Sequence, residues 1–231
     1  MSTSGDTTFN LQSSEIVAKA FSILGVGSEG ENLSARQLED GKDSLNLLVK
    51  TWGARPHLWT RTERSVTLVQ GQAAYTLTPR AMRVLEVRRK VTASGYETPL
   101  GEWSRDEYIS QPNKLVESIP VSFYFDPQTT ASTLYIWPTP SAATATDMTL
   151  KLTYLRRMDD FDNTNDDADL PQEWLQALVW NLANDLEPEY PVNDPRLAAK
   201  IENRAAMLLG QLSAWDDEPA SLYVQPDRLW R

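Results

Sequence analysis

The apolar residues of this 231-residue chain change their spacing twice. They recur every three to four residues as far as Trp52, alternate with polar residues from about Thr62 to Arg156, and return to the helical spacing after Pro171. Helices grouped at both ends and strands grouped in the middle define an α+β chain.

The end segments carry explicit helix signals. Ile16, Val17, Ala20, Phe21 and Leu24 share one face of a first helix, with Ser13 or Ser14 as its cap. Ser34 and Gln37 form a capping box before a stripe of Leu38, Leu45, Leu48, Val49 and Trp52, and Gly41 weakens the middle of that helix modestly. Pro171 opens a third helix whose stripe is Trp174, Leu175, Leu178, Val179, Leu182 and Leu186, ahead of Pro188. Asp194 and Pro195 start the last helix, which carries Leu197, Ile201, Ala205, Leu208 and Leu212 and ends near Trp215.

Between them, strands are predicted at 65–69, 73–77, 83–91, 121–125, 133–137 and 148–156, with one helical turn at Ser104 to Ile109 capped by Ser104 and Glu107. Neither two-helix pair can bury its stripe alone, so the two pairs should close on each other. The predicted organisation is a helical bundle from residues 1–61 and 170–216, an inserted antiparallel β domain over 62–169, and an extended C-terminal arm over 217–231. That arm has two prolines and no helical period, yet carries Leu222, Tyr223, Val224, Leu229 and Trp230, which mark it for contact with another chain. In the strand from Thr133 to Trp137, Leu134 and Ile136 face one way and Tyr135 and Trp137 the other, giving two aromatic residues for a subunit or partner contact.

Composition limits the chemistry. A formal net charge of −10 argues against clamping nucleic acid, which needs Lys and Arg to displace phosphate counterions. With no cysteine and one histidine, His57, there is no disulfide framework, no Cys-based zinc site, and no Cys-His or Ser-His-Asp centre except through that single imidazole. Met1 to Asn10 is polar and no run of about 18 apolar residues occurs, so neither a signal peptide nor a membrane anchor is predicted, and synthesis in the cytoplasm is expected.

Three stretches resemble chemistry. Gly25 to Gly30, "GVGSEG", has the spacing of a dinucleotide-binding loop but follows a helix instead of a strand, so it reads as a helix end and turn. Asp159 to Glu173, "DDFDNTNDDADLPQE", is dense in carboxylates, but Asp167 stands where a calcium loop starting at Asp162 needs glycine, so it reads as a solvated loop before the third helix. Exposed aromatics such as Tyr135 and Trp137, with a carboxylate pair, could bind or cleave a polysaccharide, the alternative function for the β domain, though spacing selects no pair among 32 acidic residues. His57 reads as a packing or loop residue, and Arg55, Arg61, Arg64, Arg88, Arg89 and Lys90 as basic patches that pair with acidic surfaces of another subunit. No catalytic residue, cofactor or metal ligand is expected.

The N-terminal run "EIVAKAFSILGVGSEGENLSARQLEDGKDSLNLLVKTWGARPHLW" resembles the opening of the head-to-tail adaptor proteins of tailed bacteriophages. The matching elements are Leu24, Gly25 and Val26, then Ser34 and Ala35, then Leu45, Asn46, Leu47 and Trp52. The likeness continues through "VTLVQGQAAYTLTP" (66–79), "IPVSFYFDP", "TLYIWPTP" and "LPQEWLQALVWNLANDL" (170–186). It covers most of the chain, in order. The family is that of tail accessory, packaged-DNA stabilisation and tail tubular protein A-like adaptors. The resemblance implies a structural protein of the virion's head-tail interface, forming a homo-oligomeric, dodecameric ring beneath the portal protein. It further implies a DNA ejection channel through the ring and a platform for the tail nozzle, or tail tubular protein, and tail fibres. Passing genomic DNA would meet acidic walls without specific binding.

Overall fold

The computed structural model describes residue 5 and residues 8–26, 33–55 and 57–216. In chain order the elements are α1 (Ser13–Leu24), α2 (Ala35–Gly53), β1 (Arg61–Thr67), β2 (Ala74–Leu77), β3 (Arg83–Val91), β4 (Glu97–Pro99), β5 (Gly101–Glu102) and α3 (Arg105–Ser110). They continue with β6 (Glu117–Ser118), β7 (Ser122–Pro127), β8 (Ser132–Trp137), β9 (Thr139–Pro140), α4 (Ala142–Asp147), β10 (Met148–Leu155), α5 (Leu175–Leu186) and α6 (Pro195–Trp215). This is the α+β architecture with an inserted β region that the change of period predicts. The short helix α4 and the two-residue strands carry no such period.

The chain divides into two compact units, residues 1–48 with 161–231, and residues 49–160. The division falls inside α2 and ahead of the acidic loop, so the last turn of α2 goes with the strands and residues 161–169 with the helices.

In the helical unit α5 packs against both α1 and α6. Ile16, Val17, Ala20, Phe21, Leu45, Trp174, Leu178, Leu182, Leu186 and Ile201 are all at most 2% exposed, so the stripes read from the sequence do form the core. The capping box of α2 is present: Gln37 N–H donates to Ser34 Oγ at 3.3 Å and Ser34 N–H to Gln37 Oε1 at 2.8 Å. Asp194 caps α6 by accepting from Arg196 N–H at 2.9 Å. The cap of α1 differs from expectation. The residue before the helix is Gln12, whose N–H donates to Glu15 at 3.1 Å, while Ser13 is buried inside the first turn.

Gly41 proves to be a packing requirement. A Cβ there would overlap Val17 Cγ1 and lie 3.2 Å from Phe21 Cε2, both in side chains buried on α1. Only a glycine lets α1 and α2 come this close. Alanine gains about 1 kcal/mol of helix propensity but over-packs a rigid valine at a cost of about 1–3 kcal/mol. Gly41→Ala is therefore expected to lower stability by about 1 kcal/mol, whereas Gly210→Ala in α6, where a Cβ meets nothing within 4 Å, raises it by about 0.5–1 kcal/mol. Thermal melts of the two variants check the opposite signs.

The β unit has two four-stranded sheets, ordered β1-β10-β3-β4 and β2-β8-β7-β5. The first is antiparallel throughout; in the second β5 joins β7 in parallel, and β6 and β9 form a further short parallel pair. All the longer pairings are antiparallel, as expected for the inserted domain, and the two parallel pairs are two residues long each. Val84, Val87, Leu150, Leu152 and Tyr154 from one sheet and Tyr75, Leu77, Phe123, Leu134 and Ile136 from the other share one core.

Candidate functional site

On β8 the burial alternates with each residue, so Leu134 and Ile136 enter the core and Tyr135 and Trp137 lie on the opposite face. That face is covered by the chain's own aromatic residues. The helix α3, held by its capping box (Ser104 N–H to Glu107 Oε2, 2.7 Å), brings Tyr108 over the sheet. Tyr108, Tyr124 and Tyr135 stack on one another with ring centroids 5.0–5.8 Å apart, and Trp103 lies 5.2 Å from Trp137. The Trp137 indole N–H donates to the Asn113 carbonyl at 3.0 Å. Lys114 stands 5.6 Å above the Tyr108 ring while its ammonium donates to the carbonyls of Ile109 and Gln111.

Burial pushes the Tyr108 hydroxyl above the ordinary tyrosine range, with Tyr135 adding to it, and burial followed by Asp126 does the same for Tyr124. Both phenols therefore stay neutral across the physiological range, with their rings packed on one another. Ring faces occupied by other rings offer little platform for a sugar.

The segment from α3 to β7 exposes a run of apolar residues. Ile109, Leu115, Val116, Ile119 and Val121 are 38–73% exposed within thirteen residues. Their segment is fixed to the end of β8 by Val121 N–H to the Trp137 carbonyl (3.0 Å) and Thr139 N–H to the Val116 carbonyl (2.9 Å). Sequence reading passed over it because "KLVESIPV" has neither the helical nor the strand period. Five apolar residues without a period beside a strand end was the available signal.

The acidic loop is built into the helical unit. Asp166 Oδ2 accepts from Asp162 N–H and Asn163 N–H at 2.8 and 2.7 Å, and these backbone donors, Asn163 foremost, hold its carboxyl below the ordinary aspartate range. The turn so formed presents the carbonyls of Asp166 and Thr164 to Ser13 N–H and Ser14 N–H at 2.9 and 3.0 Å, and the Asn163 carbonyl to Ser13 Oγ at 2.8 Å. Two donors that a helix start leaves unpaired are thereby satisfied, which is why neither serine is the cap. Among the described residues no group of three or more His, Asp or Glu is placed to hold a metal ion. Because the Asp166 pKa is lowered by folding, its stabilising contribution is present above about pH 4 and is lost as pH falls through the folded value. Protection of the Ser13 and Ser14 amides from hydrogen exchange is expected to weaken over that acid range, and to be weak at pH 7 as well in Asp166→Ala, which removes the acceptor.

Asn46, read at first only as part of a Leu-Asn-Leu likeness, has a defined task. Its Nδ2 donates to the Phe161 carbonyl at 3.0 Å and its Oδ1 accepts from Phe161 N–H at 2.9 Å, clamping the returning chain onto α2. Phe161 itself is buried, so removing the amide strands both backbone groups. Asn46→Ala is expected to cost about 1–3 kcal/mol, and Asn46→Asp to restore little because a carboxylate cannot donate to the carbonyl. Denaturant melts of the two variants check this.

The remaining candidates fall into place. Gly25 has φ 72° and ends α1, with Gly25 N–H bonded to Ser22 and Val26 N–H to Phe21; Gly27 to Gly30 lie outside the described residues. His57 is 7% exposed, stacks on Trp59 at 4.3 Å, and places Nε2 3.2 Å from the Trp52 carbonyl, a packing role. The basic patch does not wait for another subunit at Arg88, Arg89 and Arg64. Arg88 pairs with Glu63 (2.7 Å) and Glu97 (3.1 Å), and Lys151 bridges to Glu97 (3.2 Å). The Arg88 bond, then the Lys151 charge, holds the Glu63 carboxyl below its usual range. Arg89 and Arg64 donate to the carbonyls of Pro120 and Thr78. No helix among the described residues is long and apolar enough to cross a membrane. The arm residues Leu222, Tyr223, Val224, Leu229 and Trp230 lie outside the described residues.

The model of the SU10 adaptor protein family matches residues 14–226, and the chain belongs to that family. This bears out the resemblance to head-to-tail adaptors of tailed phages read from the sequence. No curated protein matches the chain. Among solved structures, similar chains occur in the virion of a native gene transfer agent (GTA) particle (15% identity, 86% of this chain and 93% of that one, TM-score 0.34). Others occur in the neck of the empty particle computed with C6 symmetry (15%, 79% and 83%, 0.31) and of the native particle computed with C12 symmetry (12%, 85% and 93%, 0.28). With TM-scores of this size the family match alone carries the assignment.

Proposed function

We propose that this protein is the head-to-tail adaptor of a tailed bacteriophage. Copies of the chain form a closed ring, twelve in number as the resemblance implies, that joins the portal protein to the tail nozzle and continues the DNA channel at the head-tail interface of the virion. It works by assembly, without catalysis. The observation that carries this reading is the family match over residues 14–226.

Roles follow for the parts. The helical unit, residues 1–48 with 161–216, is the body of the ring subunit, and the β unit, residues 49–160, meets neighbouring subunits or tail components, fibres included. The apolar shoulder from Ile109 to Val121, backed by Tyr135 and Trp137, is the contact on that domain. The arm, through Leu222, Tyr223, Val224, Leu229 and Trp230, docks on the portal. A net charge of −10 keeps DNA from adhering as it passes.

The test is binding of the full chain, and of a variant ending at Asp216, to purified portal rings. Full-length protein is expected to co-migrate with the portal in gel filtration and the shortened one, still folded by circular dichroism, to run alone. Equal binding by both would remove the docking role of the arm, and no binding by either would remove the adaptor reading.

A further inference from the structure

We propose that the arm has a resting place on its own subunit: a groove at one end of the helical unit that takes Leu222, Tyr223 and Val224 before any partner arrives. The groove, about 260 Å³, lies between the segment leading into α1 and the first two turns of α5. Phe9, Leu11, Leu175, Val179 and Trp180 form its apolar lining and Lys19 borders it. Phe9 is 65% exposed there, a large ring left open to solvent.

The path of the chain brings the arm to this groove. Eight residues, Glu187 to Asp194, separate α5 from α6, a connection short enough to make this packed pair antiparallel neighbours. Asn181 Nδ2 reaches the Ala205 carbonyl at 3.3 Å, which sets the two helices level at those positions. Counting along both helices from that level, Leu175 stands opposite about residue 211, and Asp216 ends about 8 Å beyond it. The α6 terminus therefore lies at the same end of the unit as the groove. From Asp216 to Leu222 an extended chain spans about 20 Å, enough to turn back and reach it.

Composition and tethering favour this occupant. Asp217 and Glu218 precede the apolar triplet, a charge complement to Lys19. A short tether holds the triplet at an effective concentration in the millimolar range, far above that of a second copy in dilute solution, so the arm of the same chain wins the site. Docking on the portal then requires release from the groove, which keeps the apolar residues covered until the ring is in place. This goes beyond the adaptor reading and is tested without any portal protein, so the two can fail separately.

The chain has no cysteine, so an introduced pair reports cleanly. Gln176→Cys, at an exposed groove position, is combined with Val224→Cys in the full-length protein; a control pairs Val224→Cys with Glu202→Cys, exposed on α6. On mild oxidation of the monomer the groove pair is expected to close within one chain about tenfold faster than the control, and Lys19→Glu to slow it. Closure no faster than the control, or cross-links mainly between two chains, would overturn the proposal.

Discussion

Trp174→Ala is expected to destabilise the protein by about 3–5 kcal/mol, the range for deleting a large buried aromatic side chain. Trp174 is fully enclosed, in the single turn that leads into α5, and ranks among the largest completely buried side chains of the molecule. Alanine there removes the transfer free energy of the ring and leaves a cavity that rigid neighbours fill only in part. Against a typical total of about 5–15 kcal/mol, this is a large fraction, and the melting temperature should fall by on the order of 10 °C. Trp215, 69% exposed at the end of α6, is the internal control: Trp215→Ala should stay within about 0.5 kcal/mol of the parent. Calorimetry of both variants separates a buried from an exposed tryptophan that composition treats alike.

Leu134→Ala is the matching experiment in the β unit, with an expected loss of about 2–5 kcal/mol. Leu134 is fully buried on β8, an interior strand, and stands in register between Tyr75 of β2 and Phe125 of β7. Nothing at a strand centre can collapse into the space it vacates without breaking pairing on both sides. The adjacent Thr133 points to the other face, level with Thr76 and Asp126, and Thr133→Ala should change stability by no more than about 0.5 kcal/mol. Equal losses at the two positions would mean that β8 is shifted by one residue, since a slip of one exchanges the two faces.

The long elements were legible because their apolar residues keep a single period over many positions. Leu178, Leu182 and Leu186 on α5, or Leu150, Leu152 and Tyr154 on β10, declare their buried face before any contact is known. Capping boxes at Ser34 and Ser104 were equally readable, since both partners lie within three residues. What sequence could not give depends on distant partners. Gly41 looked like a weak spot in a helix until Val17 was placed against it. Ser13 looked like a cap until the Asn163 carbonyl met its hydroxyl. Arg88 looked like a residue awaiting another subunit until Glu63 from β1 and Glu97 from β4, the two edges of its sheet, were placed against it. The exposed apolar residues from Ile109 to Val121 were missed for the opposite reason: apolar residues left on a surface need no period.

Assembly is the most direct measurement of the account. Sedimentation velocity of the full chain, alone and mixed with purified portal rings, should show all of the portal shifted to a heavier species carrying one copy of this chain per portal subunit. A chain that sediments as a monomer in both samples would contradict the adaptor function.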